Sequence, residues 1–565
     1  MITRRPYQDK LITDIRTAWQ QGHRNVLAVS PTGSGKTVTF SEILREHHGA
    51  SCAIAHRQEL VSQMSLALAK DGVRHRIIGP PDLIKWIIQL HTMKLGRDFY
   101  SPSAQCAVAG VDTIMSRLRE GSQHREMLMR WMQQVTLWVT DEGHHLLKDN
   151  KWGKTAEAFP NAYGLGVTAT PERADGKGLG RHADGLYDCM VEGPGMRDLI
   201  GMKFLTDYRI FCPPSDLDLS AVNTGADGDY IRKQLALKTK KSSVMGDVVD
   251  HYLRIAPGKL GVTFAPDVDT ATELAARFNQ AGVKAEVVSA KTPGKIRHHV
   301  LQRFERREVM QLVNVDLFGE GFDLPAIEVV SMARATQSYG LYVQQFGRAL
   351  RLMDNNPDKI ALIIDHVGNV VRHGLPDKPR VWSLDRREKK ASKKADEDVI
   401  PLRTCLNPVC MAPYERVLTA CPFCGTEPVP ASRQAPEFVD GDLCELEPSV
   451  LAAMRDEVRK IDRGPSEVLN AMQRAGHEFK IAKSIANRHG ERSEAQNALR
   501  NALSQWGGYQ TALGRSDRES WRRFFHRFGV DVLSAQALGR PEAEALTARV
   551  CEHIMTLDSE WRAVI

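Results

Sequence analysis

Short, continuous apolar runs alternate with longer helix-like segments over the first 200 residues of the chain. Residues 25–30 (NVLAVS), 51–56 (SCAIAH) and 134–140 (QVTLWVT) are such runs, and the second is followed by RQELVSQMSLALAK. Strands that are apolar throughout, rather than at every second position, are typical of a parallel sheet covered by helices on both faces. The pattern therefore predicts a parallel α/β lobe.

Residues 206–375 repeat this pattern. The apolar run LGVTFA (residues 260–265) precedes the helix-like DTATELAARFNQAG, and VMQLVNV and IEVVSMA follow further along. Two α/β lobes in tandem are the simplest interpretation.

The character of the chain changes after residue 375. The stretch DRREKKASKKADED (residues 385–398) has mixed charge, which favours a solvated linker at residues 381–400 over a nucleic-acid contact. Helical periodicity dominates residues 445–565, and GPSEVLNAMQRAG has the Pro and Ser of a helix start.

Length and composition limit the class of protein. A chain of 565 residues is too long for a single hydrophobic core, and 42% hydrophobic with 26% charged residues is ordinary for a globular protein. The net charge of +7 fits a polyanionic partner and equally fits a solvated basic surface. The first ten residues, MITRRPYQDK, do not resemble a signal peptide, and no apolar run approaches a membrane span, so we expect a cytoplasmic protein without membrane contact.

The cysteines are unevenly distributed. Six of the ten are scattered and four lie together, which argues against a disulfide framework. Cys405, Cys410, Cys421 and Cys424 form two close pairs, and four thiolates can supply a closed tetrahedral shell for a structural Zn²⁺. We therefore predict a zinc module at residues 401–430, with a redox pair as the alternative.

A glycine-rich loop follows the first apolar run, in LAVSPTGSGKT at residues 27–37. Backbone N–H groups of such a loop can surround a polyphosphate, while the Lys reaches the β and γ phosphates and the Thr hydroxyl binds Mg²⁺. Ser30 stands where the usual pattern has glycine. The predicted ATP-binding residues of the loop are Thr32, Gly33, Ser34, Gly35, Lys36 and Thr37.

The stretch VTDEGHHLLK (residues 139–148) has two interpretations. Asp141, Glu142, His144 and His145 are all side-chain types that bind divalent metals. A phosphate loop, however, needs an acidic partner at the end of a neighbouring parallel strand, and QVTLWVT is such a strand. We therefore assign Asp141 to the Mg²⁺ of a nucleotide and Glu142 to the attacking water.

Five motifs in order carry a family resemblance: SPTGSGKT, DEGH, TAT at residues 168–170, EGFDLP at 320–325 and QQFGRALR at 344–351. Together they closely resemble the superfamily 2 helicases over residues 1–375. The likeness is greatest to DEAD/DEAH-box, DNA-repair and phage-type helicases, including the bacterial RadD-like proteins, which also append a cysteine cluster. The resemblance implies two RecA-like parallel-sheet lobes, residues 1–205 and 206–380, ahead of the zinc module and an α-helical C-terminal region.

The resemblance also implies roles for further residues. Arg5 and Gln8 would contact the adenine, Gly321 and Asp323 would belong to an adjoining nucleotide-binding segment, and Arg348 and Arg351 would stabilise charge on the γ phosphoryl. Nucleic-acid contacts would come from His56, Arg57, Asp112 and Thr113. Coupling of the nucleotide to strand binding would involve His144, Thr168, Ala169, Thr170 and Gln344. His145 receives no role, and a packed or solvent-facing histidine is expected there.

The C-terminal region contains a cluster of aromatic and basic residues that could stack on bases and grip phosphates: Trp521, Arg522, Arg523, Phe524, Phe525 and Arg527. Trp521, Phe524, Phe525 and Phe528 also have the spacing of a buried helical face, which is the favoured interpretation.

The sequence therefore predicts an ATP-dependent DNA helicase or translocase that uses ATP, Mg²⁺ and a structural Zn²⁺. DNA is favoured over RNA as the partner, with replication or repair proteins as further partners. The alternatives are the motor subunit of a restriction system, an RNA helicase, and a nucleic-acid remodeller whose ATPase controls binding without unwinding.

Overall fold

The computed structural model describes most of the chain, in segments. The described residues are 4–55, 57–213, 217, 219, 221–225, 227–242, 244–289, 291–315, 327–353, 356–378, 380–386, 402–428, 463–474, 479–536 and 538–562. The chain forms two compact units, Met1–Lys389 and Lys390–Ile565. His56, Gly321 and Asp323 lie outside the described residues, as does all of the charged stretch 385–398 except residues 385 and 386.

The first lobe of unit 1 is a parallel sheet with helices on both faces, as predicted. Its elements are α1 (Pro6–Gln20), β1 (Asn25–Val29), α2 (Lys36–Glu46), β2 (Ala50–Ala55), α3 (Gln58–Lys70), β3 (His75–Ile78), α4 (Pro81–Leu95), β4 (Cys106–Gly110), α5 (Val111–Arg117), α6 (Arg125–Gln134), β5 (Val135–Asp141), α7 (Lys151–Glu157), β6 (Tyr163–Thr168), β7 (Cys189–Glu192) and α8 (Met196–Gly201). The strands pair in the order β3-β4-β2-β5-β6-β1-β7, and every pairing is parallel.

The continuous apolar runs are explained by two hydrophobic cores, one on each face of this sheet. Along β1, Val26 and Ala28 belong to one core, and Leu27 and Val29 to the other. Side chains of successive strand residues point to opposite faces, so a strand that is covered on both sides must be apolar at every position.

The second lobe of unit 1 repeats the arrangement. Its elements are β8 (Tyr208–Phe211), α9 (Arg232–Lys241), α10 (Val244–Ile255), β9 (Gly261–Phe264), α11 (Val268–Gln280), β10 (Ala285–Ser289), α12 (Gly294–Glu305), β11 (Gln311–Val315), β12 (Val329–Met332), α13 (Tyr339–Gly347), β13 (Ala361–Asp365) and α14 (Asn369–His373). The strand order is β10-β11-β9-β12-β13-β8, again with parallel pairing throughout. The tandem α/β fold predicted for this chain is confirmed.

Unit 2 combines a small hairpin with helices. Its elements are β14 (Leu402–Thr404), β15 (Pro413–Glu415), α16 (Pro465–Arg474), α17 (Phe479–Ala512), α18 (Asp517–Phe528), α19 (Val532–Ala535) and α20 (Arg540–Arg562). The helix predicted after Gly464 is present as α16. A hydrophobic core forms around Trp506, Phe524 and Phe528. Within the described ranges, every helix is too short or too polar to cross a lipid bilayer.

Of the four residues predicted to form the buried face of α18, two are buried, Phe525 is half-buried and Trp521 is exposed. Phe524 and Phe528 are buried, whereas the Trp521 side chain is 49% exposed. The buried stripe runs through Ser520, Phe524 and Phe528, four residues apart, and Trp521 lies one position to the side of it. Arg522, beside Trp521 in the sequence, is buried, and its Nη1 donates to the carbonyl of Val417 at 3.0 Å.

Candidate functional site

The phosphate loop connects the end of β1 to the start of α2. Gly33 and Gly35 have φ angles of +87° and +81°, a left-handed conformation that glycine adopts without a steric penalty. Gly35 is the N-cap of α2, so the helix begins at Lys36 with its N–H groups directed at the loop. The geometry is that of an anion cradle.

Ser30, the departure from the usual glycine, is built into the loop. Its side chain is buried, and its hydroxyl donates to the Ser34 hydroxyl at 2.8 Å. Its backbone N–H donates to the carbonyl of Thr168 at 2.9 Å, which ties the loop to the end of β6. Ser30 thus stabilises the loop through hydrogen bonds to Ser34 and to the end of β6.

Lys36 lies where charged groups from both lobes meet. Its ammonium donates to the carbonyls of Ser30, at 3.2 Å, and Pro31, at 3.3 Å. Burial lowers the pKa of the Lys36 ammonium. The carboxylates of Glu142 and Asp141 act to raise this pKa, and two guanidinium groups act to lower it further. Those guanidinium groups belong to Arg348 and Arg351 of the second lobe. Such an arrangement of charge suits a polyanionic ligand.

The acidic pair lies at the carboxyl end of β5, which is the position predicted for it. Asp141 and Glu142 are 9% and 4% exposed, and Asp141 Oδ1 accepts the backbone N–H of Glu142 at 2.9 Å. Glu142 has a φ of +53°. Residues other than glycine rarely adopt this conformation, and such strain clusters at functional sites.

His144 connects the acidic pair to the TAT segment. Its Nδ1 lies 3.0 Å from the Thr168 hydroxyl and 3.5 Å from Glu142 Oε2. Thr168 Oγ1 in turn donates to the carbonyl of Thr170 at 3.0 Å. The arrangement offers a hydrogen-bonded path from Glu142 to residues 168–170.

His145 packs against an aromatic ring. Its imidazole stacks on Trp152, with ring centroids 4.9 Å apart and an angle of 22° between the planes. A packed histidine was one of the two expectations for this position.

Helix α13 reaches across from the second lobe to the acidic pair. Gln344 Nε2 donates to Glu142 Oε2 at 3.1 Å, and both side chains are buried. A Cβ on Gly347 would lie 2.6 Å from Cβ of Thr32, so α13 approaches the phosphate loop as closely as a glycine permits. Arg348, which is 4% exposed, follows directly after the helix.

Gln8 binds the phosphate loop directly. Its Nε2 donates to the carbonyl of Ser34 at 3.0 Å, and its Oε1 accepts the backbone N–H of Arg5 at 2.9 Å. The hydroxyl of Tyr7 donates to the same Ser34 carbonyl.

The segment that joins the two lobes also lies against this region. The guanidinium of Arg5 stacks over the ring of Phe204 at 4.8 Å and donates to its carbonyl at 3.4 Å. A Cβ on Gly33 would lie 2.9 Å from Cδ2 of Leu205. The connection between the lobes therefore contacts both the Arg5 region and the phosphate loop.

The candidate nucleic-acid residues that the structure describes, Arg57, Asp112 and Thr113, follow strands that end at the carboxyl edge of the sheet. Strands β2 and β4 are adjacent, with Ala55 opposite Gly110, so Arg57 and the start of α5 lie at the same edge. Thr113 is half-buried, and the exposed Asp112 carboxylate accepts from Lys151 Nζ at 2.6 Å. A role in strand binding stays a prediction for these residues.

Two residues that support the site have no sequence signal. Arg173 Nη1 donates to the His144 carbonyl at 3.1 Å, and the same guanidinium is paired with Asp175 at 2.6 Å. Lys359 donates to the carbonyls of Ile327, Ala349 and Arg351, and burial lowers its pKa to about 8. Each is a single basic residue in a loop, and only its three-dimensional contacts reveal its role.

A separate cluster in unit 2 contains the four predicted cysteines. Their sulfur atoms all lie within 4.8 Å of one another, with Cys405 Sγ 3.4 Å from Cys424 Sγ and Cys410 Sγ 3.8 Å from Cys421 Sγ. Among the residues that the structure describes, these four cysteines are the group of His, Cys, Asp or Glu side chains in which three or more lie close enough together to bind one metal ion. The alternative metal site at residues 141–145 does not form such a group.

Family models match both lobes. The model described as type III restriction enzyme, res subunit, matches residues 1–173, and the helicase conserved C-terminal domain matches residues 244–353.

Three relatives are similar to this chain over half or more of their own length. A 51.5 kDa protein of Lactococcus phage (isolate 7-9) is 32% identical over 399 residues, which cover 70% of this chain and 76% of the phage protein. IRC3 of Saccharomyces cerevisiae, which is named provisionally as an ATP-dependent helicase, is 26% identical, with 64% of this chain and 51% of IRC3 covered. The DNA 3'-5' translocase XPB2 of Sulfurisphaera tokodaii is 25% identical, with 66% of this chain and 82% of XPB2 covered. The chain thus spans about half the length of the yeast protein.

The two parallel-sheet lobes, the family models that match residues 1–173 and 244–353, and the helicase and translocase relatives together define a nucleic-acid-dependent ATPase that uses ATP and Mg²⁺. The chain belongs to the superfamily 2 helicases.

Proposed function

We propose that the protein is an ATP-dependent DNA translocase or helicase in which hydrolysis at the lobe interface drives movement along the strand. The observation that carries the proposal is the hydrogen bond from Gln344 of the second lobe to Glu142 of the first. This bond and the close approach of Gly347 to Thr32 join the two lobes at the site, so separation of the lobes would break both and closure would complete the site.

The first lobe would bind the nucleotide. The loop of residues 32–35 and the N-terminus of α2 would surround the phosphates, and Lys36 would exchange its bonds to loop carbonyls for bonds to phosphate oxygens. Asp141 and Thr37 fit Mg²⁺ because a buried carboxylate and a hydroxyl supply the oxygen ligands that this ion prefers. When bound, the ion neutralises charge on the β and γ phosphates.

Both lobes would contribute to hydrolysis. Glu142 would orient a water in line with the γ phosphorus and take its proton while the bond to the leaving β-phosphate oxygen breaks. Arg348 and Arg351 would stabilise the charge that develops on the transferred group, and the electrostatic influence of both on Lys36 supports this role. Opening of the lobes after hydrolysis would then advance the strand.

DNA is the proposed track. Its support is the similarity to a DNA 3'-5' translocase, and the net charge of +7 is compatible with a polyanionic partner. Contacts from His56, Arg57, Asp112 and Thr113 to the strand backbone would be independent of base sequence and sensitive to salt. We further propose replication or repair proteins as partners, in keeping with the phage source of one relative.

A restriction-system motor is the second candidate. The match of residues 1–173 to the res subunit of type III restriction enzymes favours it. Such a motor would translocate on duplex DNA, and any cleavage would depend on a partner subunit.

The proposal predicts an ATPase that is stimulated by polynucleotide. We expect single-stranded DNA to raise kcat for ATP more than RNA of equal length does, and the best substrate then enters a strand-separation assay. Stimulation by duplex DNA alone, without strand separation, would favour the restriction-type motor. An ATPase rate that is unchanged by all three polynucleotides would overturn the proposal.

We also propose that the cysteine cluster binds one structural Zn²⁺. The fit rests on the four sulfur atoms within 4.8 Å, since a closed four-thiolate shell is typical of structural rather than catalytic zinc. We expect metal analysis of the purified protein to find about one zinc per chain, because binding of such a site is coupled to folding.

A matched pair of variants sharpens the zinc test. Cys424→Ser should lower the zinc content and the thermal stability of unit 2, whereas Cys551→Ser, on α20 of the same unit, should leave the zinc content unchanged. Folded wild-type protein without zinc would contradict the assignment.

A further inference from the structure

The turn between β8 and α9 is described at residues 221–225 and 227–231 and is called the 221–231 turn below; it contacts both lobes near the candidate site. It is closed by a bridge between Thr224 and Tyr230 and by the bond from Ile231 N to the Asn223 carbonyl at 2.9 Å. Unlike most connections between elements, this turn buries a carboxylate, that of Asp229, which is 9% exposed.

The Asp229 carboxylate binds a second turn, which follows β12. Its Oδ1 accepts the backbone N–H of Gln337 at 2.7 Å, and its Oδ2 accepts the hydroxyl of Thr336 at 2.9 Å. Arg334 Nη2 lies 3.6 Å from Oδ2. One side chain thus contacts three of the four residues 334–337, which are more than a hundred positions away in the sequence.

The second turn leads directly into α13. The Thr336 hydroxyl also accepts the backbone N–H of Ser338 at 3.0 Å, and Ser338 Oγ caps the helix by accepting the N–H of Leu341 at 3.3 Å. Helix α13 carries Gln344 to Glu142 and ends next to Arg348. The orientation of the helix therefore depends on the turn that Asp229 holds.

The opposite side of the 221–231 turn lies against the first lobe. Gly228 has a φ of +82°, and a Cβ there would overlap the main chain of Ala174 and Asp175. Asp175 is paired with Arg173, which donates to the carbonyl of His144. The turn therefore contacts residues 174 and 175, next to the Arg173 that binds the His144 carbonyl, and also residues 334–337, which lead into the helix that carries Gln344.

Stability alone is a poor explanation for this arrangement. Taking a carboxylate out of water has a desolvation cost that paired donors mostly offset, so a buried ion pair adds little net stability. The three groups from residues 334–337 that surround the Asp229 carboxylate instead supply a unique geometry for the turn.

We propose that Asp229 is a positioning residue for ATP hydrolysis, which holds the turn at residues 334–338 and thereby aims Gln344 and Arg348 at the nucleotide. The inference rests on the proposed function, because it assigns Asp229 to the same ATPase site. Asp229 touches neither the phosphate loop nor the acidic pair in its described contacts, so its removal acts on catalysis through α13.

The test is the effect of Asp229→Ala on the two kinetic constants for ATP. We expect kcat with saturating polynucleotide to fall about 10- to 100-fold, because misplacement of catalytic groups by around 1 Å has an effect of this size. The affinity for nucleotide without polynucleotide should stay at the wild-type value. Asp229→Asn keeps an oxygen that can accept from Gln337 and should recover part of kcat, and Asp250→Ala, an exposed aspartate on α10, is the matched control.

Gly228→Ala provides an independent variant if Asp229→Ala does not fold. It leaves the carboxylate intact but forces the 221–231 turn away from residues 174 and 175, and it should also lower kcat without weakening nucleotide binding. Wild-type kcat in the Asp229 variants would overturn the inference. The inference would also be overturned if the activity of a variant fell only in proportion to its fraction of folded protein while its turnover per bound ATP stayed normal.

The same experiment separates this inference from the proposed function. If the wild-type protein shows no polynucleotide-stimulated ATPase, the proposed function fails and the inference fails with it. If wild-type stimulation is present but Asp229→Ala and Gly228→Ala retain it, the inference alone fails.

Discussion

Glu142→Gln should bind ATP like the wild-type protein and lose about 10²- to 10⁴-fold in polynucleotide-stimulated kcat, the usual contribution of a general base. Glutamine has nearly the same volume and keeps an oxygen that can accept from Gln344 Nε2, so the contact between the lobes survives. It cannot take a proton from water. Two constants are measured for each protein: kcat with saturating single-stranded DNA, and the dissociation constant for the nucleotide.

Glu157→Gln is the matched control for this experiment, because Glu157 is an exposed residue at the end of α7. It should leave both constants unchanged. Turnover near the wild-type rate in Glu142→Gln would contradict the role of Glu142, whereas loss of nucleotide binding would point to a defect in the phosphate loop.

Arg348→Ala should have an equal or larger effect, with a loss of about 10³- to 10⁵-fold in kcat. The guanidinium is 4% exposed and comes from the opposite lobe, where it is close enough to Lys36 to lower its pKa. Arg348→Lys should recover little of this loss, since an ammonium supplies the charge without the planar pair of donors. Single-turnover hydrolysis of prebound ATP isolates the chemical step.

A surface arginine on the same lobe controls for the change of charge. Arg306→Ala removes a guanidinium whose side chain is 69% exposed, and kcat should stay at the wild-type value. If Arg348→Lys hydrolyses ATP at the wild-type rate, the contribution of Arg348 is charge alone and its assignment as a donor to the transferred phosphoryl group is wrong.

The lobes were predictable because local pattern and long-range packing agree in them. A strand such as β1 is apolar at every position because both faces of the sheet are covered, and the glycine-rich loop follows it within one residue. The positions of Asp141 and Glu142 at the end of β5, and of Lys36 where the loop after β1 leads into α2, could be predicted for the same reason.

Other features depend on contacts that no short pattern encodes. Trp521 fits an apolar face as well as Phe524 does, and only the position of the neighbouring helices decides which stripe is buried. Asp229 lies in an ordinary polar turn, and its partners at residues 334–337 are distant in sequence. The contact of His145 with Trp152 likewise depends on where α7 packs.

The contacts of Phe204 and Leu205 have a consequence for product release. These residues form the crossing between the lobes, and they lie against Arg5 and Gly33, beside the phosphate loop. Bending of this crossing would therefore pull on the wall of the nucleotide site at the same moment as it separates the arginines from the phosphates. We therefore expect release of ADP to be coupled to opening of the lobes, so that a load that resists opening also slows nucleotide exchange.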